Sequence, residues 1–206
     1  MKEECKKVYH FTTDAAWECM NKGVDIWLYD ASKHEHVDGM QVRGLWPMQR
    51  FLPDEYAVGL PAKAGDPVIE ALLEPCPSGW TNNPEFPGYW NRLMRNILIH
   101  ADSKDSRVLL LEARMQPCDD AWIVERAYAE RVFSGQRTTI RLKRSEKEEL
   151  FRRYWESRVP LFSYDGSYSL PQVVIWTPIP LERLSVVWEK PKMGILEDLA
   201  NMEKTG

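Results

Sequence analysis

The sequence lacks the features that mark several common classes of protein. It has only four cysteines, which are widely spaced and preceded by no apolar leader. We therefore expect reduced thiols in a cytoplasmic protein rather than a disulfide framework. No apolar run approaches the roughly 20 residues that a membrane helix needs, so we expect no membrane partner. The glycine-rich loops of classical nucleotide folds and the nucleophile motif of hydrolases are also missing.

The charge balance offers no global field for attracting nucleic acid, because the formal net charge is -4. Basic residues cluster between positions 126 and 144. Local nucleic-acid binding therefore stays open, although a solvated basic face is the simpler interpretation. Hydrophobic residues make up 44% of the 206-residue chain, which is enough to bury a core. We predict a single domain over residues 1–206, with an insertion at about 30–105.

Several runs have the pattern of regular secondary structure. Lys6–Phe11 predicts a strand, and the following residues predict a helix that Thr12 or Thr13 caps and that Gly23 closes. Further apolar runs typical of strands lie at 108–113, 121–124, 173–176 and 184–188. Because strands cluster late in the chain instead of alternating with helices, the order favours an α+β fold with a largely antiparallel sheet.

Two polar segments are candidates for chemistry. Tyr9–Thr12 places a histidine and a threonine at the end of the first predicted strand, and Asp165–Ile175 joins a polar loop to a later strand. His34 and His36 could approach a metal from one side of a strand, but the sequence offers no third ligand beside them. We therefore predict no bound metal.

These two segments resemble the first and last motifs of the ADP-ribosyltransferase superfamily, in its His-Tyr-Glu branch. Tyr9–Thr12 with Gly23 matches a strand-end histidine followed by a helix and a glycine. Pro171–Ile175 and the Ile-Pro turn that follows match the final strand, in which Gln172 takes the place of the glutamate. The resemblance implies a split mixed sheet of ADP-ribosyltransferase type with flanking helices. The second segment also resembles one from small uncharacterised prokaryotic proteins.

The resemblance implies a nucleotide ligand, with NAD as the substrate. His10 and Thr12 would contact the ribose and orient it. Tyr56, with Tyr29 as the alternative, would stack on the nicotinamide ring. Gln172 and His10 would occupy the catalytic positions, with Gln172 facing the ribose hydroxyl. The target macromolecule is not indicated.

The amide at Gln172 leaves catalysis open. Cleavage of the nicotinamide–ribose bond builds positive charge on the sugar, which a carboxylate would offset and an uncharged amide does not. Either Asp165 or Glu112 supplies the charge from elsewhere, or the protein binds a nucleotide without turnover, or its chemistry differs.

Two other functions also stay open. An RNA 2′-phosphotransferase relative would need arginines around a phosphate, and Arg43 and Arg50 are the candidates. A non-enzymatic protein-interaction module would need an exposed aromatic surface, which the segment 80–90 could provide. The simpler interpretation of that segment is a core element.

Overall fold

The structure is a computed structural model that describes residues 5–22, 69–99, 101, 103–135, 142–176 and 179–205. Contacts within the chain define two compact units. Unit 1 draws on residues 1–26, 72–116 and 179–206, and unit 2 on residues 27–71 and 117–178. The predicted insertion at about 30–105 falls partly outside the described ranges, so the domain prediction stays a prediction.

The described chain contains both strands and helices. The strands are β1 (Lys6–Thr13), β2 (Ile69–Ala71), β3 (Arg107–Met115), β4 (Ala121–Glu125), β5 (Val159–Pro160), β6 (Pro171–Ile175) and β7 (Leu184–Pro191). The helices are α1 (Asp14–Asn21), α2 (Ser78–Thr81), α3 (Tyr89–Ile99), α4 (Arg126–Gly135), α5 (Arg144–Glu156) and α6 (Lys192–Thr205). Short 3-10 turns cover Leu161–Ser163 and Leu181–Arg183.

The strands form two antiparallel sheets, one in each unit. Unit 1 has the order β1-β3-β7, and unit 2 has the order β2-β6-β4-β5. The predicted α+β class with antiparallel sheets and flanking helices is therefore confirmed. The ADP-ribosyltransferase type of sheet stays a prediction.

The first strand of unit 1 extends two residues beyond the predicted strand, to Thr13. His10 consequently lies inside β1, opposite Leu111 of β3, and not at the strand exit as predicted. Thr13 is the residue that caps α1, because its hydroxyl accepts a hydrogen bond from the Ala16 N–H at 3.3 Å. Thr12 is part of the strand. Gly23, the predicted helix end, lies outside the described residues.

Helices α3 and α6 bury their apolar faces against the unit 1 sheet. A core cluster is formed by Met94, Leu98, Val108, Ile195 and Leu199. The aromatic segment at 80–90 is mainly core as well. Trp80, Phe86 and Tyr89 are buried, and the Trp80 and Tyr89 ring centroids lie 5.3 Å apart. The simpler interpretation of this segment, a core element, therefore holds for these three rings, which fill the unit's own interior.

Unit 2 packs α4 and α5 on one face of its four-stranded sheet. The buried cluster consists of Val124, Ala129, Val132, Phe151, Tyr154, Trp155, Val174 and Trp176. Strand β6 pairs with β2 on one side and with β4 on the other, so it is a central strand. Its residues from position 172 to 175 are all buried.

The exposed charges of α5 are paired within the helix. Arg144 contacts Glu148 at 2.7 Å, and Arg152 and Arg153 both contact Glu149, at 2.7 and 2.9 Å. Exposed pairs of this kind contribute at most about 1 kcal/mol to stability, but they cancel the local charge. Of the basic segment at 126–144, Arg144 lies on this helix, and its charge is offset by Glu148.

No helix in the described part of the chain is both long enough and apolar enough to cross a membrane.

Candidate functional site

The candidate site lies in unit 2 and centres on Gln172. This residue is on β6 opposite Val124 of β4, and only 1% of its surface is exposed. Glu70 of β2 lies opposite Val174, two residues along the same face of β6. In an antiparallel sheet that arrangement makes Glu70 a diagonal neighbour of Gln172, within reach of a long side chain.

Three side chains bond to the Gln172 amide. Its Oε1 accepts hydrogen bonds from the Tyr154 hydroxyl at 3.1 Å and from Arg126 Nη1 at 3.4 Å. Its Nε2 donates to Glu70 Oε2 at 2.6 Å. The two donors on the oxygen side fix which way the amide faces, so its NH₂ group points to the carboxylate. We call these four residues the Gln172 cluster.

Arg126 is positioned by the junction between β4 and α4. Its backbone N–H donates to the Leu170 carbonyl at 3.0 Å, and its guanidinium lies over the Phe133 ring, 5.4 Å from the centroid. Its Nη1 is 3.8 Å from Glu70 Oε2, which makes an ion pair with little solvent around the guanidinium. Arg126 is therefore an interior residue, although the sequence placed it in a solvated basic face.

The Glu70 carboxyl lies among protein atoms. About a third of the side chain (34%) is exposed, but its Oε1 atom is buried. Burial raises the pKa of Glu70 above its ordinary value, while the Arg126 guanidinium and the Gln172 hydrogen bond act in the opposite direction. Buried carboxyls that have a specific cationic partner are often found in functional sites.

Another carboxylate, Glu125, is buried and fixes the loop that leads into β6. It accepts backbone hydrogen bonds from Ala127 at 3.1 Å, Ser169 at 2.7 Å and Leu170 at 2.9 Å. The Glu125 N–H in turn donates to the Ser157 hydroxyl at 2.8 Å. These bonds tie the loop to the start of α4, so Arg126 and Gln172 are held in register.

The sequence suggested Asp165 or Glu112 as the source of the charge that Gln172 lacks. The hydrogen bonds described above connect neither residue to Gln172. Asp165 closes its own turn, where its Oδ1 accepts the Ser167 N–H at 3.0 Å and the hydrogen bonds from Ser167 lower its pKa. Glu112 lies in unit 1 and pairs with Lys7 at 3.0 Å and with the Tyr9 hydroxyl at 3.3 Å. The carboxylate beside Gln172 is Glu70.

The predicted ribose contacts lie in unit 1. His10 and Thr12 alternate along β1 and so share one face of the strand. His10 is partly exposed, whereas Thr12 retains only 4% of its surface. Tyr56 and its alternative Tyr29 lie outside the described residues.

The remaining predicted ligands also fall outside the described ranges. His34, His36, Arg43 and Arg50 belong to the undescribed segment 23–68. Within the residues that the structure does describe, no group of three or more histidine, cysteine or acidic side chains could hold a metal ion.

Comparisons with protein-family models, with curated proteins and with solved structures find no match for this chain. The resemblance to ADP-ribosyltransferases therefore stays an expectation from the two motifs.

Proposed function

We propose that the protein binds NAD or a related nucleotide as an ADP-ribosyltransferase-like protein. The observation that carries the proposal is the Gln172 cluster. At the position where the resembled motif has a glutamate, unit 2 holds an amide in contact with a carboxylate at 2.6 Å. The resemblance of the two motifs adds to this support, although His10 lies inside β1 and not at its end.

The composition of the cluster supports a functional interpretation. A buried polar side chain stabilises a core less than an apolar one of the same shape, and leaving one unsatisfied costs about 1–3 kcal/mol. The Gln172 cluster nevertheless places an ion pair, an amide and a tyrosine hydroxyl together beside the apolar core of unit 2. Buried polar networks of this kind are common where a protein binds a ligand.

In this proposal the residues of the first motif take the roles that the resemblance implies. His10 contacts the ribose, Thr12 supports it from the same strand, and Tyr56 stacks on the nicotinamide. The burial of Gln172 bears on turnover, because its amide is engaged by protein partners and carries no charge. Binding without rapid turnover is the activity proposed for the natural sequence.

The test is ligand-dependent stability. Purified protein is heated with NAD, with ADP-ribose and with no ligand, and nicotinamide release is followed in parallel. Ligand at about one hundred times its dissociation constant should stabilise the fold by about 2.7 kcal/mol. A His10→Ala variant should lose most of that gain, and Asp165→Asn, on an exposed turn, should keep it. No stabilisation by either ligand would overturn the proposal.

A second candidate, a protein-interaction module, is favoured by one observation. The most exposed large apolar side chains in the described chain all belong to unit 1, and three of them are consecutive on β7: Val186, Val187 and Trp188. Strand β7 is at one end of its described sheet, where an apolar strand edge can pair with another strand.

Self-association tests this second candidate. Val187 is 47% exposed, and lysine on a strand edge opposes pairing. If β7 pairs with a second copy, the molar mass from light scattering should rise with concentration in the natural protein and stay constant in Val187→Lys. A constant monomer mass in both proteins would remove the support for this candidate.

A further inference from the structure

We infer that the carboxylate and the amide of this site have exchanged positions. Glu70 carries the negative charge that the resembled motif places at residue 172, and Gln172 is a positioning residue that holds Glu70. The inference rests on the proposed function, because it concerns the charge that acts on a bound ribosyl group. It replaces the expectation that Gln172 itself faces the ribose.

The first argument is the state of the Gln172 side chain. With 1% of its surface exposed, it offers almost nothing to a ligand. Its oxygen already accepts from Tyr154 and Arg126, and its nitrogen donates to Glu70. A direct contact with a ribose hydroxyl would require these buried hydrogen bonds to break.

The second argument is the chemistry of the pair. Arg126 can only donate, and the Tyr154 hydroxyl donates on the same side, so an oxygen of residue 172 faces them. Glu70 requires a donor on the other side. Glutamine is the side chain that meets both requirements, whereas a glutamate at position 172 would bring two carboxyl groups to hydrogen-bonding distance. The amide at position 172 is therefore explained by the carboxylate at position 70.

The third argument is electrostatic. Glu70 lies so close to Gln172 that its charge acts on nearly the same volume as a charge at residue 172 would. A partly buried negative charge influences developing positive charge through space, although exposure of a third of the Glu70 side chain and its pairing with Arg126 reduce the effect. Arg126 from α4 faces Glu70 directly, and Tyr154 from α5 reaches it through Gln172.

The exchange predicts the behaviour of a swapped protein. In Gln172→Glu alone, two carboxyl groups share one proton and their titration shifts to higher pH. In the double variant Glu70→Gln/Gln172→Glu, the carboxylate introduced at position 172 would again be surrounded by donors, from Tyr154, Arg126 and the introduced amide. The double variant should therefore recover the stability that Gln172→Glu loses.

The experiment measures Tm against pH, with and without NAD and ADP-ribose, for the natural protein, both single variants and the double variant. At pH 8 the Gln172→Glu variant should lose roughly 5 °C, and the loss should shrink towards pH 5. The double variant should return close to the natural Tm. If Gln172 does not hold Glu70, a buried carboxyl at position 172 would lower Tm at pH 8 by itself, and the double variant would not recover it.

The ligand arm separates the inference from the proposed function. If NAD or ADP-ribose binds, Glu70→Gln should weaken binding at least about tenfold, which corresponds to one 1.4 kcal/mol step, and the double variant should regain most of it. Unchanged binding in Glu70→Gln, or nicotinamide release gained by Gln172→Glu with an unmoved pH profile, would overturn the inference. No ligand effect on the natural protein would overturn the proposed function. A double variant no more stable than Gln172→Glu would overturn the exchange in either case.

Discussion

The side-chain amide of Gln172 donates a 2.6 Å hydrogen bond to the carboxylate of Glu70, a residue 102 positions earlier in the chain. The two residues belong to neighbouring strands of one sheet, β6 and β2. Their contact means that the chemistry of position 172 is shared with position 70, and an interpretation of either residue has to include the other.

Replacing Glu70 should change how stability depends on pH. Its pKa in the folded protein is raised, so the folded state holds this proton more tightly than the unfolded state does. The stabilisation is fully present below the unfolded value of about 4.5 and is lost as pH rises through the folded value. Glu70→Gln, which cannot titrate, should remove that decline in urea unfolding between pH 4.5 and 8.

Glu148→Gln is the matched control for the Glu70 experiment. Glu148 is an exposed acid on α5 that pairs with Arg144. Its replacement makes the same change from carboxylate to amide away from the Gln172 cluster, so it provides the profile against which Glu70→Gln is compared. A Glu70→Gln profile that cannot be distinguished from the Glu148→Gln profile would show that Glu70 titrates normally.

Removing the Tyr154 hydroxyl should weaken the Gln172 cluster by a small, defined amount. Tyr154→Phe keeps the ring in the core and deletes one hydrogen bond to Gln172 Oε1, which still accepts from Arg126. The expected loss in unfolding free energy is about 1 kcal/mol. Tyr154→Ala, which also empties a buried site, should cost about 3–5 kcal/mol. Equal losses in the two variants would mean that the hydroxyl, and not the ring, dominates.

Glu125 should be more important for stability than its position on a strand end suggests. Its carboxylate accepts three backbone N–H groups, from Ala127, Ser169 and Leu170. In Glu125→Gln an NH₂ group would face some of these donors, and we expect a loss of about 2 kcal/mol. Glu148→Gln on the surface should cost less than about 0.5 kcal/mol. Similar values for the two variants in urea unfolding would contradict the role of Glu125 in fixing the loop.

Two glycines should respond to alanine with opposite signs. Gly166 has φ of 88°, and nothing lies within 4 Å of the position that a Cβ would take, so Gly166→Ala should cost about 1 kcal/mol through backbone strain alone. Gly194 lies within α6, where a Cβ would meet only the flexible Lys190 side chain, at 3.0 Å. Gly194→Ala should therefore stabilise by up to about 1 kcal/mol in urea unfolding, because alanine favours helix. A change in unfolding free energy of the same sign in both variants would contradict this prediction.

Local patterns in the sequence predicted much of the fold. The apolar runs at β4, β6 and β7 are observed as strands, because each is strongly apolar and lies in an ordered sheet. The length of β1 was underestimated, because Thr12 and Thr13 suit both a strand and a helix cap and the pairing with β3 decides between them.

The candidate site was harder to predict because its partners are distant in the sequence. Glu70 lies on a strand of only three residues, which is too short for periodicity to distinguish a strand from a helix. Arg126 resembles its exposed basic neighbours in sequence, and only tertiary contacts with Gln172 and Glu70 show that it is interior. Gln172 was expected to face a ribose hydroxyl, whereas its central strand buries it.

The most direct test of the exchange between Glu70 and Gln172 is a double-mutant cycle in unfolding free energy at pH 8. The cycle compares the natural protein, Glu70→Gln, Gln172→Glu and the double variant. The two side chains share one hydrogen bond. We therefore predict that the unfolding free energy of the double variant is higher, by more than about 1 kcal/mol, than the two single losses added together would give. Additivity within about 0.5 kcal/mol would contradict the account.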